Sequence, residues 1–156
     1  MKLITETVEN VRYLTEANEN GTQALFIQGP FLVAETPNKN RRKYLKETLE
    51  REVSRYINEY VNTNRALGEL GHPDTPSINL DRVSHIITEL KQDGNIFIGK
   101  AKILETPYGN IVKNLINSGV SLGVSSRGMG SLSRGDDGIN IVQDDFRLAT
   151  AADLSL

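Results

Sequence analysis

His72 sits in the run Gly68-Glu69-Leu70-Gly71-His72-Pro73-Asp74-Thr75-Pro76, where two glycines and two prolines make a rigid loop. Pro73 biases the residue before it toward extended backbone. A stiff loop is a sound mount for a general base, because placement matters as much as pKa. An imidazole here could equally do no more than bond its own turn. Ser125 closes the stretch Val120-Ser121-Leu122-Gly123-Val124-Ser125, whose apolar and small residues alternate as in a strand, and Ser126-Arg127-Gly128-Met129-Gly130-Ser131 follows as a glycine-rich turn. A serine at such a junction is exposed, and the amides of the turn can converge into a nest that holds an oxyanion, with Arg127 and Gly128 as donors. Against this, serine and glycine are common in turns for conformational reasons alone.

The other histidine, His85, lies in the strand-like run Val83-Ser84-His85-Ile86-Ile87. That setting favours a structural role, although His85 remains a rival for a third catalytic position. The acids to weigh are Glu69, Asp74, Asp144, Asp145 and Asp153. Only Asp153 interrupts an apolar and small stretch, Leu148-Ala149-Thr150-Ala151-Ala152. A carboxylate there is partly buried and needs a partner, and a catalytic imidazole is one that makes sense. Gly128-Met129-Gly130 is only a fragment of a dinucleotide fingerprint, and no phosphate-binding Gly-Lys-Ser/Thr run occurs.

Composition narrows the field. The chain of 156 residues fits one domain with a single core. The absence of cysteine excludes disulfides, thiolate metal sites and cysteine nucleophiles, and two histidines cannot build a histidine-rich metal centre. A net charge of −2 argues against a broad nucleic-acid surface. No apolar run reaches bilayer length, and Met1-Lys2-Leu3-Ile4-Thr5-Glu6 has no uninterrupted apolar core of a secretion signal. A soluble cytoplasmic domain is expected.

The elements that must position these residues follow from periodicity. Residues 1–22 are polar and read as a flexible N-terminal segment, with a turn cluster at Asn18-Glu19-Asn20-Gly21. Ala24–Ile27 and Phe31–Ala34 read as short strands broken by Gly29-Pro30. A helix is expected over Arg42–Val61, with Leu45, Leu49, Val53, Tyr56, Ile57 and Tyr60 forming one apolar stripe. Val83–Lys91 and Ile96–Leu104 read as a hairpin about Asp93-Gly94-Asn95, and Asn110–Asn117 as a short helix stopped by Gly119. Gly138–Val142 and Phe146–Leu154 read as two closing strands. The class is α+β, best met by a closed or partly closed antiparallel barrel flanked by helices.

Taken in order, Leu67-Gly68-Glu69-Leu70-Gly71-His72-Pro73, Gly99-Lys100-Ala101-Lys102-Ile103-Leu104, Thr106-Pro107-Tyr108-Gly109 and Leu122-Gly123-Val124-Ser125-Ser126-Arg127-Gly128-Met129-Gly130-Ser131-Leu132 resemble the prohead core (capsid maturation) proteases of large tailed phages, the myophages. The early stretch Asn38-Lys39-Asn40-Arg41-Arg42-Lys43-Tyr44 matches as well, so the likeness runs from about Phe26 to Asp153. The resemblance implies a herpesvirus-protease-like β-barrel ringed by helices. It implies a serine endopeptidase, without metal or organic cofactor, that works inside the immature capsid in the host cytoplasm. There it would cut the scaffold, other core proteins and the capsid protein, and then itself. Its partners would be these substrates and a possible second copy of the chain, with no nucleic acid and no membrane.

Carried over by motif, His72 is the general base and Ser125 the nucleophile, while Ser126, Arg127 and Gly128 shape the oxyanion site. Herpesvirus-type proteases use a second histidine after the nucleophile, but none follows Ser125 here; the resemblance to phage enzymes that use an acid in the last strand instead implies Asp153 as the third member, with His85 and Glu69 as alternatives. Relatives cut after Glu preceded two residues earlier by Leu or Ile. Ile4-Thr5-Glu6, Leu14-Thr15-Glu16 and Ile103-Leu104-Glu105 are therefore nominated for self-processing, the N-terminal pair above the third because termini are accessible. Family members continue past the point corresponding to Leu156, so a truncated or self-cleaved end is expected. Two competing readings are a catalytically silent prohead component with a protease-like fold and a small-molecule acyl hydrolase using the same dyad.

Overall fold

Alternating side chains over Lys2–Val8 and Arg12–Ala17 form the first two strands, β1 and β2, of the computed structural model. The structure describes residues 1–71, 73–135 and 137–156. The two strands replace the flexible segment expected over residues 1–22. Ile4 is buried, and every residue from Lys2 to Val8 pairs antiparallel with the stretch from Gly130 back to Val124. Polarity misled the reading because much of β1 and β2 stays at the surface. The turn residues gather just after them, where Asn18, Asn20 and Thr22 bond one another and Gly21 takes a φ of 83°.

Gln23–Val33 is one strand, β3, rather than two. Proline has no N–H to give the ladder, so Pro30 leaves a register shift before Leu32 without ending the strand. Arg42–Tyr44 is a strand, β4, and the helix expected from Arg42 begins only at Lys46 (α1, Lys46–Tyr56), closing in a wide turn over Ile57–Val61. Its apolar stripe is as expected, with Leu49, Val53 and Tyr56 buried. Leu67–Glu69 (β5) precedes the long hairpin of Val83–Asp93 (β6) and Ile96–Ile103 (β7), which turns through Gly94 at a φ of 64°.

Pro107–Asn117 (α2) starts earlier than expected because the Thr106 hydroxyl caps it, accepting from the Gly109 N–H at 2.9 Å, with proline in its first turn. The remaining strands are Gly123–Gly130 (β8), Leu132–Arg134 (β9), Asn140–Val142 (β10) and Arg147–Ser155 (β11). The expected turn at Ser126–Ser131 is therefore strand down to Gly130. Its glycines serve packing, since a Cβ on Gly128 would strike the Phe146 ring.

Strands pair as three sheets, ordered β1-β8-β11, β4-β10-β9 and β2-β3-β7-β6-β5, and all pairs but β4–β10 are antiparallel. This is the expected α+β class, with two α-helices among the described residues. Among the described residues the ladders do not close into one ring. A single bridge between Leu70 and Leu154 and the Gly71 N–H bond to the Leu154 carbonyl at 2.7 Å join the five-stranded sheet to β11. Along part of β11, α1 supplies the missing partners: Leu148 N–H donates to Glu52 at 2.8 Å, and Arg51 and Arg55 donate to the carbonyls of Phe146 and Leu148. Side chains thus close a sheet edge that would otherwise stay open.

Candidate active site

β8 is the central strand of its sheet, so alternation sends Ser125, Arg127 and Met129 to one face and Val124, Ser126 and Gly128 to the other. Directly opposite Ser125 stand Thr7 on β1 and Asp153 on β11. Residues directly opposite share a face, so the register gathers Ser125, Arg127 and Asp153. All three are fully buried. The gathering depends on a bulge: Arg127 faces Thr150 and Ser125 faces Asp153, leaving Ala151 and Ala152 both across from Ser126.

Arg127 organises the face. Its Nε donates to Asp153 Oδ2 at 2.5 Å, and Nη2 to Glu69 Oε2 at 2.8 Å and Asp153 Oδ1 at 3.2 Å. Nη1 donates to the carbonyls of Thr75 at 2.6 Å and Ser77 at 3.0 Å. A guanidinium has five N–H donors, and each has an acceptor. Asp153 Oδ1 also accepts from the Glu69 N–H at 3.0 Å, while Glu69 receives the side chain of Asn79 at 3.2 Å and lies 3.6 Å from Arg82. Two carboxylates thus meet two guanidinium groups, the balance a buried ionic cluster requires. Burial pushes the Asp153 carboxyl above its ordinary value, against the pull of Arg127.

His85 is fully buried on β6, with Nε2 at 2.7 Å from the Ala152 carbonyl and Nδ1 at 2.7 Å from the Ser84 hydroxyl. A carbonyl only accepts, so Nε2 carries the proton and Nδ1 accepts from Ser84. Burial lowers the ring to about 4, which keeps it neutral. Both nitrogens are committed to the fold. Gly68 is required beside this ring, because a Cβ there would overlap it.

His72 lies outside the described residues. Its loop is tied down on both sides, by Gly71 to Leu154 and by Thr75 and Ser77 to Arg127. The oxyanion nest expected from a turn at Ser126, Arg127 and Gly128 does not form as such, because these residues lie within β8. Ser126 faces away from Ser125 and stands opposite Glu6. The expectation that Asp153 partners an imidazole meets a different finding: Arg127 engages both of its oxygens. Sequence reading missed the Arg127 side chain as the organising group. The signal was an arginine within a strand of small and apolar residues, which needs acids folded against it.

The nominated self-processing triplets are unequal. Glu6 is buried within β1 and accepts from Arg42, Tyr44 and Asn40, which corrects the preference for the first triplet. Glu16 lies on the edge strand β2, and the Glu105 side chain is 80 % exposed.

The fold is thus α+β, with Ser125 on a central strand and sharing its face with a buried arginine that reaches the carbonyls of Thr75 and Ser77. A family model described as prohead core protein serine protease matches residues 5–155, and the chain belongs to that family. The prohead core protein protease of Enterobacteria phage T4 is 40 % identical over 132 residues, covering 83 % of this chain and 62 % of that protein. The chain therefore spans about three-fifths of the length of this curated relative, given that 62 % coverage. The solved structure of the bacteriophage T4 capsid assembly protease superposes with a TM-score of 0.94 at 34 % identity, covering 99 % of this chain and 96 % of that one.

Proposed function

We propose that this chain is a serine endopeptidase that cleaves scaffold and capsid proteins inside the prohead during head maturation, with Ser125 as nucleophile and His72 as general base. The observation that carries the reading is the register. It sets Ser125 opposite Asp153 and two residues from Arg127, whose guanidinium holds the loop in which His72 occurs. In the proposed reaction, Ser125 Oγ bonds to the scissile carbonyl carbon while His72 takes its proton. Collapse of the tetrahedral intermediate breaks the C–N bond, and His72 returns the proton to the leaving amine. Water then hydrolyses the acyl-serine. Any oxyanion site at Ser126, Arg127 and Gly128 draws on backbone amides, because the Arg127 guanidinium is fully committed.

The finer fold reading is a partly closed, herpesvirus-protease-like barrel in a single domain spanning residues 1–156. Two links support it: the Leu70–Leu154 bridge at one side, and the Tyr13 hydroxyl at the other, which accepts from the Leu122 N–H at 2.6 Å just before β8. Self-cleavage, where it occurs, falls at Glu16 or Glu105 rather than Glu6, whose strand is zipped along β8. One observation favours a second reading, a catalytically silent prohead component: the full burial of Ser125. A fluorophosphonate reagent separates the two. An active enzyme forms a Ser125–phosphonyl bond with loss of fluoride and Ser125→Ala does not, whereas a silent component leaves both chains unlabelled.

A further inference from the structure

Among the described residues, no acceptor of the Arg127 guanidinium belongs to the strand that carries it. Two carboxylates, Asp153 on β11 and Glu69 on β5, bracket the guanidinium, and its remaining group reaches two main-chain carbonyls, Thr75 and Ser77. Those carbonyls lie three and five residues past His72, and the residue before His72 is fixed to Leu154. We propose that Arg127 is the positioning residue for the general base: a clamp that holds Thr75 and Ser77, in the loop in which His72 occurs, against the strand bearing Ser125, with Asp153 and Glu69 acting through it. The proposal rests on the reading of Ser125 and His72 given above.

Three physical points support the clamp. A buried ion cluster of this kind adds little net stability over apolar residues of the same volume, so stability alone does not explain it. The planar fork of arginine serves five acceptors lying in several directions, whereas lysine offers three donors on one nitrogen and no plane. Asp153 has both oxygens engaged by Arg127 and one also by the Glu69 N–H, so it orients the guanidinium and ties it to β5.

The test compares wild type, Arg127→Lys and a core control, Phe97→Leu, which removes packing from a buried ring remote in sequence from the loop. Each is assayed well below its melting temperature for the rate of fluorophosphonate labelling at Ser125 and for hydrogen exchange of the amides of Asp74, Thr75, Ser77 and Ile78. The clamp predicts that Arg127→Lys labels about 100-fold more slowly, the scale of loss expected for slight misplacement of a reacting group. It also predicts faster exchange at these four amides while β6 and β7 stay protected. Phe97→Leu should lose stability yet label near the wild-type rate. Labelling of Arg127→Lys at the rate of the control, or unchanged loop exchange, overturns the clamp. If wild type itself goes unlabelled, the reading of Ser125 fails and the proposal with it. If Arg127→Lys does not fold, Glu69→Gln and Asp153→Asn decide. The clamp predicts that both slow labelling and loosen the loop alike, and slowing by Asp153→Asn alone points to direct contact with the imidazole and contradicts it.

Discussion

His85 shows burial selecting a protonation state. Its folded value of about 4 lies below the ordinary 6.5, because charging the ring means leaving it unsolvated. Between those values the unfolded chain takes up a proton that the folded chain refuses. Stability is therefore full above pH 6.5 and falls as the pH drops toward 4. The loss at full extent is roughly 3 kcal/mol. Denaturant melts of wild type and His85→Gln across this window should show that limb flattened in the variant, and an unchanged limb assigns it to other groups. That Asp153 is buried was legible from the apolar residues around it. Its partner was not, since Arg127 reaches it only through a bulged register between strands.

At the scale of elements, the 3.6-residue stripe of α1 and the Asp93–Asn95 turn between β6 and β7 were legible because local spacing determines them. β8 was misread past Ser125, since its glycines answer to Phe146, which arrives from elsewhere in the chain. Gly128→Ala should accordingly destabilise by about 1–3 kcal/mol, the usual cost of overpacking. Phe146→Leu in the same chain should recover part of the loss; an additive double variant in thermal melts would show that the ring is not what Gly128 accommodates. Glu52 gives a second prediction. Burial favours its neutral form, but the bonds from Arg55 and the Leu148 N–H prevail and hold its pKa below the ordinary value. Its contribution is present above the ordinary carboxylate range and is lost as pH falls through the folded value. Glu52→Ala leaves Leu148 N–H and Arg55 without this acceptor and should cost about 3 kcal/mol at neutral pH. Retained stability in urea melts would mean that water replaces the carboxylate at the edge of β11.

At the scale of the whole molecule, the five-stranded sheet meets the sheet of Ser125 through the Leu70–Leu154 bridge, the bond at Gly71, the bonds of Glu69 with Arg127 and Asp153, and the bond of His85 with the Ala152 carbonyl. Ser125 is buried on the face that Arg127 and Asp153 share. On the proposed reading, self-processing cuts after Glu16 or Glu105, and intact-mass spectra should show those cuts and none after Glu6. Early cleavage at Glu6 would show that β1 leaves β8 readily. The most direct test of the central claim incubates the purified chain with the scaffold and capsid proteins of its own phage, wild type beside Ser125→Ala, and reads intact masses. Discrete fragments from wild type alone are predicted. Fragments from both chains, or from neither under conditions where the fluorophosphonate labels Ser125, would contradict Ser125 as the nucleophile of an endopeptidase.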